Sequence, residues 1–204
     1  MRKLIVANMM SLDGYFEGPN KDVLALFSYR RKAYPKDDSF DVYNAERLRA
    51  ADTLLLGRVS YLMFKSYWPT VADDPKVTPV EREISRLNNK IDKVVISSSL
   101  TEAETDPWRN TRIVHRKDAH KQIAALKRQS GKDILVFGSH VLWNDLLAHD
   151  LVDELHLMTG PVVLGAGTPL FVGQQAEKLR LIDAFTWDGS GNVLARYEVR
   201  RKKS

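Results

Sequence analysis

The stretch from residue 133 to residue 171, DILVFGSHVLWNDLLAHDLVDELHLMTGPVVLGAGTPLF, decides the fold class. Ile134 to Phe137 form a short apolar run, typical of a strand that is covered on both faces of a parallel sheet. Leucine and tryptophan side chains then recur at helical spacing from Leu142 to Leu151. The stretch therefore predicts an α/β fold in which Gly138 and Ser139 follow the carboxyl end of a buried strand, where such sheets bind ligands.

Two further turns repeat this arrangement. The strand pattern of residues 53–56 ends at Gly57, and Arg58 opens the helix pattern that follows. The free N–H groups and partial positive charge of a helix N-terminus, together with a forked guanidinium, suit a pyrophosphate. Ser97 to Ser99 follow the strand pattern of residues 93–96 in the same way. Each turn also has an alternative interpretation without a ligand. Arg58 could be a surface arginine beside a turn glycine, and the three serines could be an ordinary polar loop.

Strand and helix patterns alternate over the first two-thirds of the chain, and strand patterns dominate the last third. We expect helices at residues 23–34, 40–51, 59–67, 81–89, 119–128 and 141–149. We expect strands at residues 4–7, 53–56, 93–96, 112–114, 134–137, 152–158, 179–187 and 193–199, with loops at residues 8–20, 73–79 and 161–171. The turn at residues 188–192 joins the last two strands as a hairpin. The pattern predicts one domain over residues 1–204, with a mainly parallel sheet and antiparallel C-terminal strands.

The composition excludes several classes of protein. A hydrophobic fraction of 44% and a charged fraction of 28% over 204 residues are ordinary for a soluble domain. No apolar stretch approaches the ~20 residues of a membrane span, so no membrane partner is expected. The absence of cysteine excludes disulfides, thiolate zinc sites and cysteine nucleophiles. The five histidines show no metal-type spacing with carboxylates, so we predict no metal, and the N-terminus does not resemble a signal peptide, which favours the cytoplasm.

The net charge of +5 and the pI near 9.3 favour an anionic partner, either a phosphorylated small molecule or nucleic acid. Much of the basic excess lies in residues 196–203, at the end of the chain. We interpret this tail as a solvated terminus and expect no nucleic-acid partner.

Four stretches together carry a resemblance to a known family. Residues 3–18 (KLIVANMMSLDGYFEG), 51–68 (ADTLLLGRVSYLMFKSYW), 90–100 (KIDKVVISSSL) and 133–171 resemble, in order and spacing, the dihydrofolate reductase-like family. The similar branch is that of the riboflavin-biosynthesis reductase domain and its stand-alone bacterial relatives. The resemblance implies a three-layer fold with helices on both faces of the sheet, a homodimer, and NADPH-dependent hydride transfer to a small pterin-like or ribitylamino-pyrimidine-like heterocycle. The alternative is a nucleotide-binding member of the fold without catalytic turnover.

The resemblance also implies which residues contact the cofactor. Ala7 matches the position whose backbone contacts the nicotinamide carboxamide. The turns at Gly57-Arg58 and Gly138-Ser139 match those that hold the phosphates, and the serine turn matches the one that lines the adenosine half of the cofactor. His115, Arg116 and Lys117 follow the strand of residues 112–114 at a comparable edge, where one of them, with Arg116 as the candidate, could read a 2′-phosphate and select NADPH over NADH. The alternative is that these basic side chains are solvated. Where this chain has Gly138-Ser139, the family often has Gly-Gly. The implied cofactor contacts are Ala7, Gly57, Arg58, Val59, Ser60, Ser97, Ser98, Arg116, Phe137, Gly138, Ser139, Val141 and Leu142.

The loop of residues 9–15 resembles the family loop that closes over nicotinamide and substrate. Asp13 is the candidate catalytic proton donor, and Asp13 and Tyr15 are candidate substrate-binding residues. The alternative for Asp13 is a structural role, in which its side chain caps the turn at Gly14. Asp22 and Asp41 are weaker candidates for the carboxylate that folate reductases place on the helix after this loop.

Overall fold

The computed structural model describes residues 1–31, 33–173 and 178–200, and within these ranges it contains ten strands and five α-helices. The strands are β1 (Leu4–Met10), β2 (Tyr15–Glu17), β3 (Ala51–Gly57), β4 (Asp92–Ile96), β5 (Thr111–Val114), β6 (Asp133–Phe137), β7 (Glu154–Thr159), β8 (Thr168–Pro169), β9 (Lys178–Thr186) and β10 (Val193–Arg200). The α-helices are α1 (Ser39–Ala50), α2 (Arg58–Val71), α3 (Pro79–Lys90), α4 (Ala119–Arg128) and α5 (His140–Ala148), and short 3-10 helices cover Pro19–Lys21, Val23–Arg31, Glu102–Thr105 and Arg116–Asp118.

Eight strands form one sheet in the order β5-β4-β3-β6-β1-β7-β10-β9. The six strands from β5 to β7 pair in parallel, whereas β10 is antiparallel to β7 and β9 is antiparallel to β10. This confirms the predicted α/β class and the hairpin of the last two strands. The prediction of one domain over residues 1–204 stays a prediction, because residues 32, 174–177 and 201–204 lie outside the described ranges.

The sheet carries a hydrophobic core on each face. One core packs α4 and α5 against side chains such as Val6 and Val136, and the other packs helices α1 to α3 against side chains such as Ile5 and Leu135. Consecutive residues of β1 and β6 thus point into different cores, which is why both strands read as unbroken apolar runs. Helices cover both faces, as the three-layer prediction requires.

Several predicted elements differ from the structure. The segment Val23–Arg31 is a 3-10 helix rather than an α-helix, and residue 32 within the predicted element lies outside the described residues. Its buried side chains, Leu26 and Tyr29, are three residues apart, which matches the repeat of a 3-10 helix. The first strand continues three residues beyond its predicted end, because β7 pairs with it as far as Met10. The strands β2 and β8 fall in predicted loops, since two or three residues are too few for a periodic signal.

Among the described helices, none combines the length and the apolar character needed to span a lipid bilayer.

Candidate nucleotide and substrate site

Turn residues from three adjacent parallel strands meet at one edge of the sheet. Gly57 ends β3, Ser97 follows β4 and Gly138 follows β6, and these strands are neighbours in the sheet. The sequence-predicted turns therefore lie side by side at the carboxyl ends of the strands, as the ligand rule for open α/β sheets expects.

The turn at Gly138-Ser139 has an unusual backbone that several side chains hold in place. Both residues have positive φ, 54° for Gly138 and 50° for Ser139, which is a costly conformation for serine. The Asn8 side chain accepts a hydrogen bond from the Gly138 N–H at 2.7 Å and donates one to its carbonyl at 3.3 Å. The Ser60 hydroxyl accepts the Ser139 N–H at 2.7 Å. These contacts from β1 and α2 fix the turn before any ligand arrives.

The N-termini of α2 and α5 converge at this turn. The Gly57 N–H donates to the Ser139 hydroxyl at 3.0 Å, and a Cβ at Gly57 would lie 3.9 Å from that of Leu142. First-turn N–H groups have no partner inside their own helix and carry a partial positive charge. The second residue of each helix, Val59 in α2 and Val141 in α5, is more than three-quarters exposed. Two open helix N-termini on one spot form a place where an anion is favoured.

Arg58, the first residue of α2, adds a full positive charge to this helix N-terminus. Its Nη2 atom lies 3.3 Å from Oε1 of Glu104, in an ion pair that is about one-third exposed on each side. Its Nε atom is buried and has no hydrogen-bond partner among the described residues. A buried guanidinium N–H without a partner is costly, and a phosphate oxygen would satisfy it if a small movement of the side chain exposed the atom.

The outer part of the edge is more open. The Ser97 hydroxyl is buried and accepts the N–H groups of Ser99 and Leu100, so it shapes its own turn. Ser98 and Arg116 are exposed. Because β4 and β5 pair in parallel, with Ile96 opposite Val114, Arg116 follows β5 at the same edge as Ser97.

A closed crevice, whose mostly buried side chains leave no room for a water molecule, lies beside the turn, on the α1 face of the sheet. Its floor comes from β1 and β7 and its wall from α1. The Phe40 and Tyr43 rings and the Asn8 and Asn44 amides offer both flat apolar surface and hydrogen-bonding groups. The lining residues are Ala7, Asn8, Phe40, Tyr43, Asn44, His156, Met158 and Leu194.

A buried polar chain runs from this crevice to the opposite end of the strands. The Tyr43 hydroxyl lies 2.6 Å from Nδ1 of His156, and Nε2 of His156 lies 2.8 Å from the Glu154 carboxylate. That carboxylate also pairs with Lys3 at 2.6 Å. A carboxylate accepts only, so Nε2 of His156 carries the proton and Nδ1 accepts from Tyr43. We call Tyr43, His156, Glu154 and Lys3 the relay.

The relay holds its members in defined charge states. Hydrogen bonds from His156 and Lys3 lower the pKa of Glu154 to about 2. Desolvation lowers the pKa of His156, although Glu154 opposes the effect, and desolvation raises the pKa of Tyr43 to about 12. At neutral pH the relay thus consists of a neutral tyrosine, a neutral histidine, an ionised glutamate and a protonated lysine, whose pKa the Glu154 carboxylate raises.

The family model for the RibD C-terminal domain matches residues 2–194 of this sequence. The chain belongs to the RibD C-terminal domain family. Its fold is accordingly of the reductase type, which confirms the family that the sequence resemblance implies.

Individual relatives agree with membership of the RibD C-terminal domain family. The uncharacterized protein YyaP of Bacillus subtilis is 29% identical over 187 residues, covering 91% of this chain and 89% of YyaP. A putative riboflavin biosynthesis protein of Shewanella sp. PV-4 superposes with a TM-score of 0.67 at 23% identity, over 98% of this chain and 99% of that one. Dihydrofolate reductase of Enterococcus faecalis, complexed with NADP(H), superposes with a TM-score of 0.58 at 11% identity, over 98% and 97%. The two structures show that the fold is shared.

Asp13, the candidate proton donor of this RibD-type domain, is held in another role. Its carboxylate accepts the N–H groups of Leu164 and Gly165, the latter at 2.7 Å. Hydrogen bonds from the Ser11 hydroxyl and from these N–H groups lower the pKa of Asp13 to about 2. A carboxylate held in its ionised form is a poor proton donor. The contacts favour a structural role, although the partners are in the loop of residues 161–171 rather than at Gly14.

Tyr15 opens β2, which pairs with β8 and not with the lining of the crevice. The loop approaches the site through the neighbouring Phe16, whose ring stacks on that of His140 at the start of α5, with centroids 4.8 Å apart. Of the weaker carboxylates, Asp22 caps its own 3-10 turn through the N–H of Leu24, and Asp41 on α1 faces Arg30 at 3.4 Å. None of these side chains lines the crevice.

Sequence reasoning missed the residues that hold the site together. Asn8 gives a weak signal, as a polar residue at the end of an apolar run. Tyr43 and His156 give none, because they lie 113 residues apart and meet only when α1 packs on β7.

Proposed function

We propose that this protein is an NADPH-dependent reductase that transfers hydride to a small pterin-like or ribitylamino-pyrimidine-like heterocycle. The observation that carries the proposal is the convergence of two helix N-termini on the fixed Gly138-Ser139 turn, with Arg58 as the first residue of one of these helices. The donor set fits a pyrophosphate, because it combines N–H groups, helix dipoles and a guanidinium with an unpaired Nε atom. Arg116, at the outer edge, would contact a 2′-phosphate.

Each part of the site has a role in this proposal. When bound, NADPH supplies the hydride, and the redox chemistry is that of the cofactor. The predicted contacts at Ala7 and Phe137 lie on neighbouring strands between the turn and the crevice, where they would support the nicotinamide. The crevice has no free volume as it stands, so α1 would have to move away from the sheet to admit a substrate. The Phe40 and Tyr43 rings and the Asn8 and Asn44 amides would then orient a flat heterocycle and exclude water from it.

Nucleotide titration tests the cofactor assignment. We expect purified protein to bind NADPH more tightly than NADH, followed by nicotinamide or tryptophan fluorescence. Arg58→Ala should weaken NADPH binding roughly tenfold to a hundredfold, the worth of a charged hydrogen bond. Arg49→Ala is the matched control, since Arg49 pairs with Glu83 on the surface of α1. Equal affinities of both variants and the wild type would contradict the proposed phosphate site.

Turnover separates the proposal from its alternative, a nucleotide-binding protein without catalysis. The ionised state of Asp13 favours the alternative, because it removes the proton donor suggested by the sequence. Oxidation of NADPH in the presence of a panel of pterins and amino-pyrimidines supports the reductase. Tight NADPH binding without oxidation across the panel supports the alternative.

We also propose that the protein is a homodimer. The edge strand β9 exposes Leu181, Ile182 and Phe185, each more than one-third accessible. An apolar edge strand is a typical pairing surface. Light scattering with Leu181→Lys tests this assembly, and a wild-type monomer would contradict it. Cytoplasmic localisation and the absence of a nucleic-acid partner stay predictions, and residues 201–203 of the basic tail lie outside the described residues.

A further inference from the structure

Three side chains with metal-binding groups meet on the outer surface of the α4–α5 layer. His120 lies on α4, Asp145 lies on α5, and His149 follows the last turn of α5. A nitrogen of each imidazole and a carboxylate oxygen lie within 4.8 Å of one another, and no other such group of three occurs in the described ranges. Asp145 and His149 share one helix face because they are four residues apart.

The distances in this cluster suit a transition-metal ion. Nε2 of His120 lies 2.6 Å from Oδ2 of Asp145, and one ligand atom from each of the three side chains lies within 4.8 Å of the others. Ligand atoms around a tetrahedral zinc ion are about 3.3 Å apart, given zinc–ligand bonds of about 2.0–2.1 Å. The His120–Asp145 pair would have to open by roughly 0.7 Å. Side chains that are about half exposed can do this by a small rotation.

The contacts around His149 resemble those of a ligating histidine. Its Nδ1 atom lies 2.8 Å from the main-chain carbonyl oxygen of Asp145. Ligating imidazoles usually donate their second N–H to a carbonyl or carboxylate, which fixes the tautomer. A proton on Nδ1 leaves Nε2 with a free lone pair. The His149 ring stacks on that of His120, with centroids 4.0 Å apart and planes 29° apart, so the two imidazoles lie together on one surface and one of them would have to rotate to share an ion.

The other three histidines make hydrogen bonds outside this cluster. His156 is buried in the relay, and Nε2 of His140 lies 2.9 Å from the carbonyl oxygens of Pro169 and Leu170. Nδ1 of His115 accepts the N–H of Lys117. Metal-type geometry is therefore confined to the cluster, in the part of the chain that the structure describes.

We propose that His120, Asp145 and His149 form a surface site for a divalent transition-metal ion such as Zn²⁺ or Co²⁺. Two imidazoles and one carboxylate suit these ions, whereas Mg²⁺ and Ca²⁺ prefer oxygen ligands. Water completes the coordination, since the site is open. The prediction of no metal rested on spacing along the chain, and His120 enters the cluster from another helix. The ion would tie α4 to α5 and is independent of the proposed reductase activity.

Calorimetry on the full chain, with any histidine tag removed and metal stripped by EDTA, tests the site. We expect one equivalent of Zn²⁺ to bind and Mg²⁺ not to bind. His149→Ala and Asp145→Asn should each weaken Zn²⁺ binding about tenfold or more. Loss of a residue that only hydrogen-bonds to a ligand typically lowers metal affinity by about that factor, and loss of the ligand itself should lower it at least as much. The control His115→Ala, an exposed histidine outside the cluster, should bind Zn²⁺ as the wild type does.

Thermal unfolding provides a second measurement. Zn²⁺ at a hundredfold excess over its Kd should raise the Tm of the wild type by about 5 °C or more, and this shift should disappear in His120→Ala. Failure of the wild type to bind Zn²⁺, or equal binding by the wild type and the ligand variants, overturns the proposal. NADPH affinity is measured on the same samples, so failure of the metal site and failure of the proposed reductase are distinguished.

Discussion

The two halves of the candidate site are built in different ways. On the nucleotide side, residues 57–60 and 138–142 each place a strand end, a turn and a helix start within a few consecutive positions. On the substrate side, the relay draws Tyr43 from α1, His156 and Glu154 from β7, and Lys3 from the segment before β1. Local geometry makes the first half and tertiary packing makes the second. Substitutions in the first should therefore change ligand affinity, and substitutions in the relay should change stability and its pH dependence.

The largest expected effect is that of Glu154→Gln. The substitution removes the negative charge that accepts hydrogen bonds from His156 and Lys3, and charged hydrogen bonds contribute about 1.5–3 kcal/mol. We expect the free energy of unfolding, from urea denaturation at pH 7, to fall by about 2–3 kcal/mol. NADPH affinity should stay within about twofold of the wild-type value, because Glu154 bonds to His156 and Lys3, which belong to the relay and not to the nucleotide half. A twofold change corresponds to less than ~0.5 kcal/mol.

The same variant gives a pH signature. The pKa of Glu154 is lowered from 4.5 to about 2 in the folded protein, so its contribution is fully present above pH 4.5 and is lost as the pH falls towards 2. The difference in stability between wild type and Glu154→Gln should shrink over that window. Glu83→Gln is the control, because its exposed pair with Arg49 contributes little. A constant difference from pH 6 to pH 2.5 would count against the relay as the source of the effect.

Gly138→Ala tests the nucleotide half. A methyl group there meets the Ser60 hydroxyl at 3.0 Å, on a backbone with φ of 54°. We expect a loss of about 1–2 kcal/mol in stability and NADPH binding weaker by about tenfold, since the turn and the α5 N-terminus must shift. Gly189→Ala is the matched control, with φ of 75° and nothing within 4 Å of the added methyl. It should lose similar stability and keep its affinity. Parallel losses of affinity in both variants would show a general destabilisation.

Tyr43→Phe should have a smaller effect on stability, about 1 kcal/mol, because one buried hydrogen bond is lost and Nδ1 of His156 is left without its donor. NADPH affinity should not change, whereas turnover of any substrate found in the panel should fall, since Tyr43 lines the crevice. Denaturation and fluorescence titration measure the first two quantities. A tenfold change in NADPH affinity would show that the two halves are coupled.

The contrast between the halves also explains how much of the site the sequence predicts. The apolar runs that end at Gly57-Arg58 and Gly138-Ser139 predict the fold class. They also predict that the site lies at the carboxyl ends of the strands, because these ends meet at one edge of a parallel sheet. The residue that fixes the second turn, Asn8, is 130 positions away from Gly138 and gives only a weak signal. Glu104, which pairs with Arg58 from a 3-10 helix, gives none. Contacts of this kind depend on packing, which a single sequence does not reveal.

Asp13→Asn should have the smallest effect. It tests whether the loop of residues 9–15 takes part in catalysis or has only a structural role. The amide keeps an oxygen that can accept the N–H groups of Leu164 and Gly165 but loses the charge that strengthens those bonds. The pKa of Asp13 is lowered from 3.8 to about 2, so a small stabilising effect is present above pH 3.8 and is lost as the pH falls towards 2. We therefore expect a slightly lower Tm than that of the wild type at pH 7, and equal values near pH 2. With any substrate that the panel identifies, kcat should stay within about threefold of the wild type, because loss of a general acid typically costs at least about a hundredfold. A hundredfold fall in kcat would show that Asp13 is the general acid and that bound substrate raises its pKa. The loop of residues 9–15 would then be part of the substrate half of the site.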